Sequence, residues 1–111
     1  MVLIGDGPKG GLQGASSLDD MLQYCLPYAT PETFYRKHNF DKRLYEAILV
    51  EGEFRGTDDA ALEEMLLRAK SNGAFVVVNP AIKRRGAASS EVEYQYSAFA
   101  IRRSGVSIVK G

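Results

Sequence analysis

Cys25 and His38 are the only cysteine and the only histidine in the chain, and a thiol with an imidazole could make a thiolate and base pair for nucleophilic catalysis. Glu51, Glu53, Asp58 and Asp59 crowd a short acidic segment and could hold a divalent ion for phosphoryl chemistry if their carboxylates converged. Near the start, "GDGPKG" at residues 5–10 spells the glycine spacing with which a loop approaches a pyrophosphate. Lys83, Arg84 and Arg85, with Arg102 and Arg103 further on, are cations that could grip phosphate or an acidic partner.

Each of these has a plainer reading. Cys25 falls on an apolar stripe, where a buried thiol is small and inert, and His38 closes a short helix whose dipole its charge suits. A single cysteine excludes an internal disulfide and any zinc site built from several thiolates, and a single histidine excludes a histidine cluster. The acids are neighbours in sequence rather than residues presented from separate strands, and Asp58 and Asp59 also suit a helix start. The glycine motif is followed by no strand ending in an acid about 20 residues on, and by no Gly-Lys-Ser/Thr end. These residues predict no catalytic group, no cofactor and no metal.

The basic residues are the most informative. Residues 83–85 are expected at the tip of a hairpin loop of about eight residues, with Arg102 and Arg103 near the far end of its second strand. That strand would span roughly 30 Å at about 3.3 Å per residue, so the two clusters form separate patches. Tyr94 and Tyr96 alternate with polar residues on one face with Val92, which reads as core rather than as a base-stacking platform. Arg85-Gly86 is followed by Ala87, which departs from an RNA-recognition strand.

The elements that must carry these residues follow from periodicity and caps. Residues 5–14 hold five glycines and a proline, so residues 1–15 are expected as a flexible arm and residues 16–111 as one domain. Ser16 or Ser17 caps a first helix whose Leu18, Met21, Leu22, Cys25 and Leu26 form a stripe that Pro27 stops. Thr30-Pro31-Glu32 starts a second helix ending near His38. Residues 41–50 suit either a helix or a buried strand, and a helix is expected. Thr57 or Asp58 opens the clearest helix, closed by Asn72-Gly73, with Leu62, Met65, Leu66 and Ala69 inward. Three strands follow, at 74–78, 92–102 and 106–109, with Asn79-Pro80 ending the first. The expected fold is α+β, with N-terminal helices packed on a C-terminal three-stranded antiparallel β-meander. Its expected core includes Leu18, Met21, Leu22, Leu26, Leu62, Leu66, Phe75, Val77, Tyr94, Tyr96 and Phe99. Residues 98–101 are apolar on both faces, so they are either covered on both sides or left for a partner.

At 111 residues, 45% hydrophobic and 25% charged, the chain reads as one soluble globular domain, expected in the cytoplasm. Its longest apolar runs fall far short of the roughly 20 residues that cross a bilayer, so no membrane partner is expected. Net charge is zero but unevenly spread: residues 46–64 hold seven acids against Arg55, while residues 81–111 hold six bases against Glu91 and Glu93. Such a chain could pair with copies of itself, acidic face to basic face. The function expected is non-enzymatic association with a protein partner or with itself, as a structural or inhibitory subunit. By analogy of size and architecture alone, a viral or phage component is one setting for it. The alternative is a small nucleic-acid-binding module using Lys83, Arg84, Arg85, Arg102 and Arg103.

Overall fold

The structure is a computed structural model that describes residues 10–86 and 91–104. Among these residues three α-helices begin where a side chain satisfies an N–H that no helical carbonyl can reach. Ser17 accepts from the Asp20 N–H at α1 (Leu18–Leu22), Thr30 from Thr33 at α2 (Pro31–Lys37), and Thr57 from Ala60 at α3 (Asp58–Ser71). Asn72 and Gly73, whose φ of 84° suits a residue without Cβ, close α3.

Among the described residues four strands, β1 (Cys25–Leu26), β2 (Tyr45–Glu51), β3 (Val76–Arg85) and β4 (Glu93–Arg103), form one mixed sheet in the order β1-β3-β4-β2. β1 runs parallel to β3, and β4 runs antiparallel to both β3 and β2. This corrects the expected three-stranded antiparallel meander. The crossover through α3 returns the chain parallel to β2 while leaving one strand's width between β2 and β3, and β4 fills it. The expected last strand at 106–109 lies outside the described residues.

Two local corrections feed that topology. The stretch expected as a helix up to residue 50 is β2, where Ile48 and Val50 face the α3 side while Ala47 and Leu49 face the other. The first helix stops at Leu22, because Tyr24 O accepts the Val77 N–H and Cys25 pairs with Val77 as strand. One turn of isolated helix is marginal, so the sheet bond wins. Leu22 is consequently 39% exposed instead of core. Asn79-Pro80 does not end β3 either. Asn79 takes a left-handed φ of 55° and the register shifts by one residue between Val78 and Ala81, a bulge that admits the proline and lets pairing resume.

The sheet is covered on both faces at its centre. On one side Met65, Leu66 and Ala69 of α3 pack with Val77, Ala98 and Ala100, joined by Leu12 and Met21. On the other, Phe34 and Tyr35 of α2 pack on Phe75, Val76, Val78 and Ile101. The two-sided apolar run at 98–101 is thereby explained by burial within the chain, with Phe99 only partly covered. Of the residues expected as an arm, 1–9 lie outside the described ones, while Gly11–Gly14 form a 3-10 turn that sinks Leu12 into the core. Gln13 Nε2 donates to the carbonyls of Lys70 (2.9 Å) and Ala74 (2.6 Å), and Lys70 Nζ donates to Ala15 O. Among the described residues no helix is long and apolar enough to cross a membrane.

Candidate functional site

The basic residues sit on strands, not on a loop. Lys83, Arg84 and Arg85 are the last residues of β3, opposite Gln95, Tyr94 and Glu93 of β4. The register shift puts Lys83 and Arg85 on one face and Ile82 and Arg84 on the other, beside Tyr96 and Tyr94. Arg85 is already engaged: its Nε donates to Glu93 at 2.8 Å and its guanidinium lies 3.8 Å above the Phe54 ring. Among the described residues Arg84 has no such partner. Arg85→Ala is expected to lower stability by about 0.5–1 kcal/mol through the lost cation–π contact. Arg84→Ala should stay within about 0.5 kcal/mol of the parent. Paired thermal melts compare the two, and equal losses would contradict this assignment.

Arg102 and Arg103 lie at the other end of β4, as the strand length implied. Arg102 Nε donates to Glu46 at 2.6 Å and its Nη1 to the Asn72 carbonyl, which ties β2 and α3 to β4. Arg103 lies 5.8 Å from the Tyr45 ring centre. The five cations are thus divided between two ends of the sheet, and Arg85 and Arg102 spend their charge on internal carboxylates.

Among the described residues, Cys25, His38 and the acidic segment form no catalytic constellation, and the glycine spacing at 5–10 lies, apart from Gly10, outside those residues. Burial pushes the Cys25 thiol up to about 11, so little thiolate exists near neutrality. His38 accepts or donates across 3.0 Å to the Tyr28 hydroxyl and rests 4.9 Å from the Phe34 ring, within an aromatic cluster. Glu53 pairs with Arg55 and Arg68, and Asp58 accepts from the Tyr96 hydroxyl at 2.8 Å. Among the described residues no three His, Cys, Asp or Glu side chains gather as metal ligands. A depression of about 570 Å³ beside α2 is lined by Glu32, Arg36, Phe40, Asp41 and Lys42. Its charges are largely spent within the chain, since Lys42 pairs with Glu32 at 2.9 Å and Asp41 with Arg43 at 2.9 Å.

What the sequence reading missed is the outer edge of β2. The Gly52 N–H donates to Tyr96 O at 3.0 Å and the Ser104 N–H to Leu44 O at 2.8 Å. Even-numbered residues of β2 therefore turn their backbone groups toward β4, and Ala47, Leu49 and Glu51 turn theirs away from the sheet. Among the described residues no strand pairs with that side. Leu49 is 62% exposed on it and Leu44, just before it, 47%. The strand carries no lysine, proline or bulge to blunt the edge.

The edge is held stiffly. Glu64 of α3 accepts from the Glu53 N–H (3.0 Å) and from Arg68 Nε (2.6 Å), and Arg55 Nη2 reaches it at 3.1 Å. Burial works to raise the Glu64 carboxyl, yet the Arg68 and Glu53 hydrogen bonds and the two guanidiniums hold it below its ordinary value. That network clamps residues 52–55 to α3 as β2 ends. The dense apolar run from Ile48 to Val50 was the one sequence signal for this strand, and it suits a helix equally. No family model, curated protein or solved structure matches the chain.

Proposed function

We propose that the protein is a non-enzymatic association module that takes an extended segment of a protein partner onto the outer edge of β2. The observation that carries this reading is the row of outward N–H and C=O groups at Ala47, Leu49 and Glu51, flanked by exposed leucines. Strand addition satisfies such groups through main-chain bonds, and Leu49 supplies apolar contact on one face. Lys83 and Arg84, which have no carboxylate partner among the described residues, are available as a secondary charged contact. A nucleic-acid grip is the weaker reading, because Arg85 and Arg102 are engaged internally and the clusters lie at opposite ends of β4. A mobility shift with mixed-sequence DNA or RNA that collapses as salt rises would favour that alternative.

The test is affinity capture with tagged parent protein and with Leu49→Lys from extracts of the cells that make it. Leu49 is exposed, so the substitution leaves the core intact while placing a charge on the edge. Retained protein, additional copies of the chain included, should fall at least about fivefold with the variant. An identical retained set for both, or nothing retained by either, would overturn the reading.

A further inference from the structure

The charge distribution around β2 singles out one occupant for its edge. At the N-terminal end of β2 stand Lys42 and Arg43, with Arg102 and Arg103 of β4 alongside, since Tyr45 pairs with Arg103 and Glu46 with Arg102. At the C-terminal end stand Glu51 and Glu53, followed by Asp58 and Asp59 at the start of α3. Lys42, Arg43 and Arg102 pair within the chain with Glu32, Asp41 and Glu46, yet the Arg43 side chain stays 85% exposed, and Glu51 is exposed with no ion partner among the described residues. The edge therefore carries an exposed guanidinium at one end and an exposed carboxylate without an ion partner among the described residues at the other. An antiparallel partner with the same polarity puts opposite charges together at both ends, whereas a parallel one puts like on like.

We propose that this partner is a second copy of the chain, joined β2 to β2 across a two-fold axis into one continuous eight-stranded sheet. The inference rests on the strand-addition reading above. The outward backbone groups fix its register. Setting Ala47 opposite the second copy's Leu49, and Leu49 opposite its Ala47, engages the outward N–H and C=O of both residues in both copies. Ile48 then faces its own counterpart on the axis, as an isologous contact requires. Small Ala47 leaves room for the exposed Leu49 side chain, which lies on the same face and loses its water contact. One step further out, Glu51 falls opposite the second copy's Tyr45, beside its Arg43 and Arg103. Every element of this contact recurs on both sides of the axis.

Sedimentation equilibrium of the purified full chain across a concentration series reads the outcome. The expected mass rises from 12.2 kDa toward twice that value. Ala47→Pro removes an N–H that points away from β4, so its internal ladder bonds survive while dimer affinity falls at least about tenfold. Glu51→Lys and Arg43→Glu act on exposed side chains and each should weaken self-pairing. An equimolar mixture of those two variants should regain it, because in the mixed pair both ends are again complementary. A chain that stays monomeric up to about 1 mM, or a dimer indifferent to Ala47→Pro and to the charge exchange, would overturn the proposal. If Ala47→Pro disturbs folding by circular dichroism, the charge exchange decides alone. Monomeric behaviour combined with Leu49-dependent capture of another protein would sink self-pairing and leave strand addition standing.

Discussion

Phe75→Ala is expected to lower the stability of the domain by about 3–5 kcal/mol, a large share of the roughly 5–15 kcal/mol typical of such folds. Phe75 is 1% exposed, at the entry to β3. Its ring centre lies 5.8 Å from Phe40, 5.7 Å from Tyr45 and 6.3 Å from Phe34. Those rings are held by one another as well: Phe40 stacks on Tyr45 at 5.0 Å and meets Phe34 edge-on at 5.2 Å. A cavity at Phe75 is thus walled by groups from α2, from the segment after it and from β2, none of which can move inward without losing other contacts. The backbone has little freedom to close it either, because the Phe75 N–H donates to Ile101 O and its carbonyl accepts from the Leu12 N–H. Urea unfolding should show a lowered midpoint with an unchanged slope. A loss under about 1 kcal/mol would mean that the aromatic cluster repacks around the hole.

The features legible in the sequence were those decided within a few residues. Ser17, Thr30 and Thr57 cap helices because each bonds an N–H three positions on, and Pro31 and Gly73 act on their own backbone. β2 was illegible because Ile48, Leu49 and Val50 fit a helical stripe and a strand alike, and residues 97–103, which pair with it, lie about 50 positions away. β1 failed for the same reason: two residues carry a continuing apolar stripe, and only the bond from Val77 to Tyr24 makes them a strand. Asn79-Pro80 has the composition of a stop, but a left-handed asparagine turns it into a bulge that preserves β3. The site followed these errors. The separation of Lys83, Arg84 and Arg85 from Arg102 and Arg103 could be read from strand length, whereas the neutralising pairs Arg85–Glu93 and Arg102–Glu46 depend on register. An edge exists only once spatial strand order is known, so no local pattern could mark β2 as one.

Leu12→Ala is expected to cost about 2–5 kcal/mol, although its neighbours Gly10, Gly11 and Gly14 have the composition of a free arm. Glycine density sets the entropy lost on ordering a backbone, and says nothing of whether an anchor repays it. Here the anchor is one leucine, fully buried against the cluster built from Met65, Leu66 and Val77. Gly11 supplies the φ of 56° that lets the chain turn into this position, and the Leu12 N–H donates to Phe75 O at 2.8 Å. Gln13 then donates to the Lys70 carbonyl in the last turn of α3, which also accepts the Gly73 N–H, and to the Ala74 carbonyl just beyond the helix. The turn thus closes the core where α3 hands over to β3, and shortening Leu12 opens a hole that the sheet and helix cannot fill. Unfolding monitored by circular dichroism measures the loss directly. A change below about 0.5 kcal/mol would return these residues to the status of an arm.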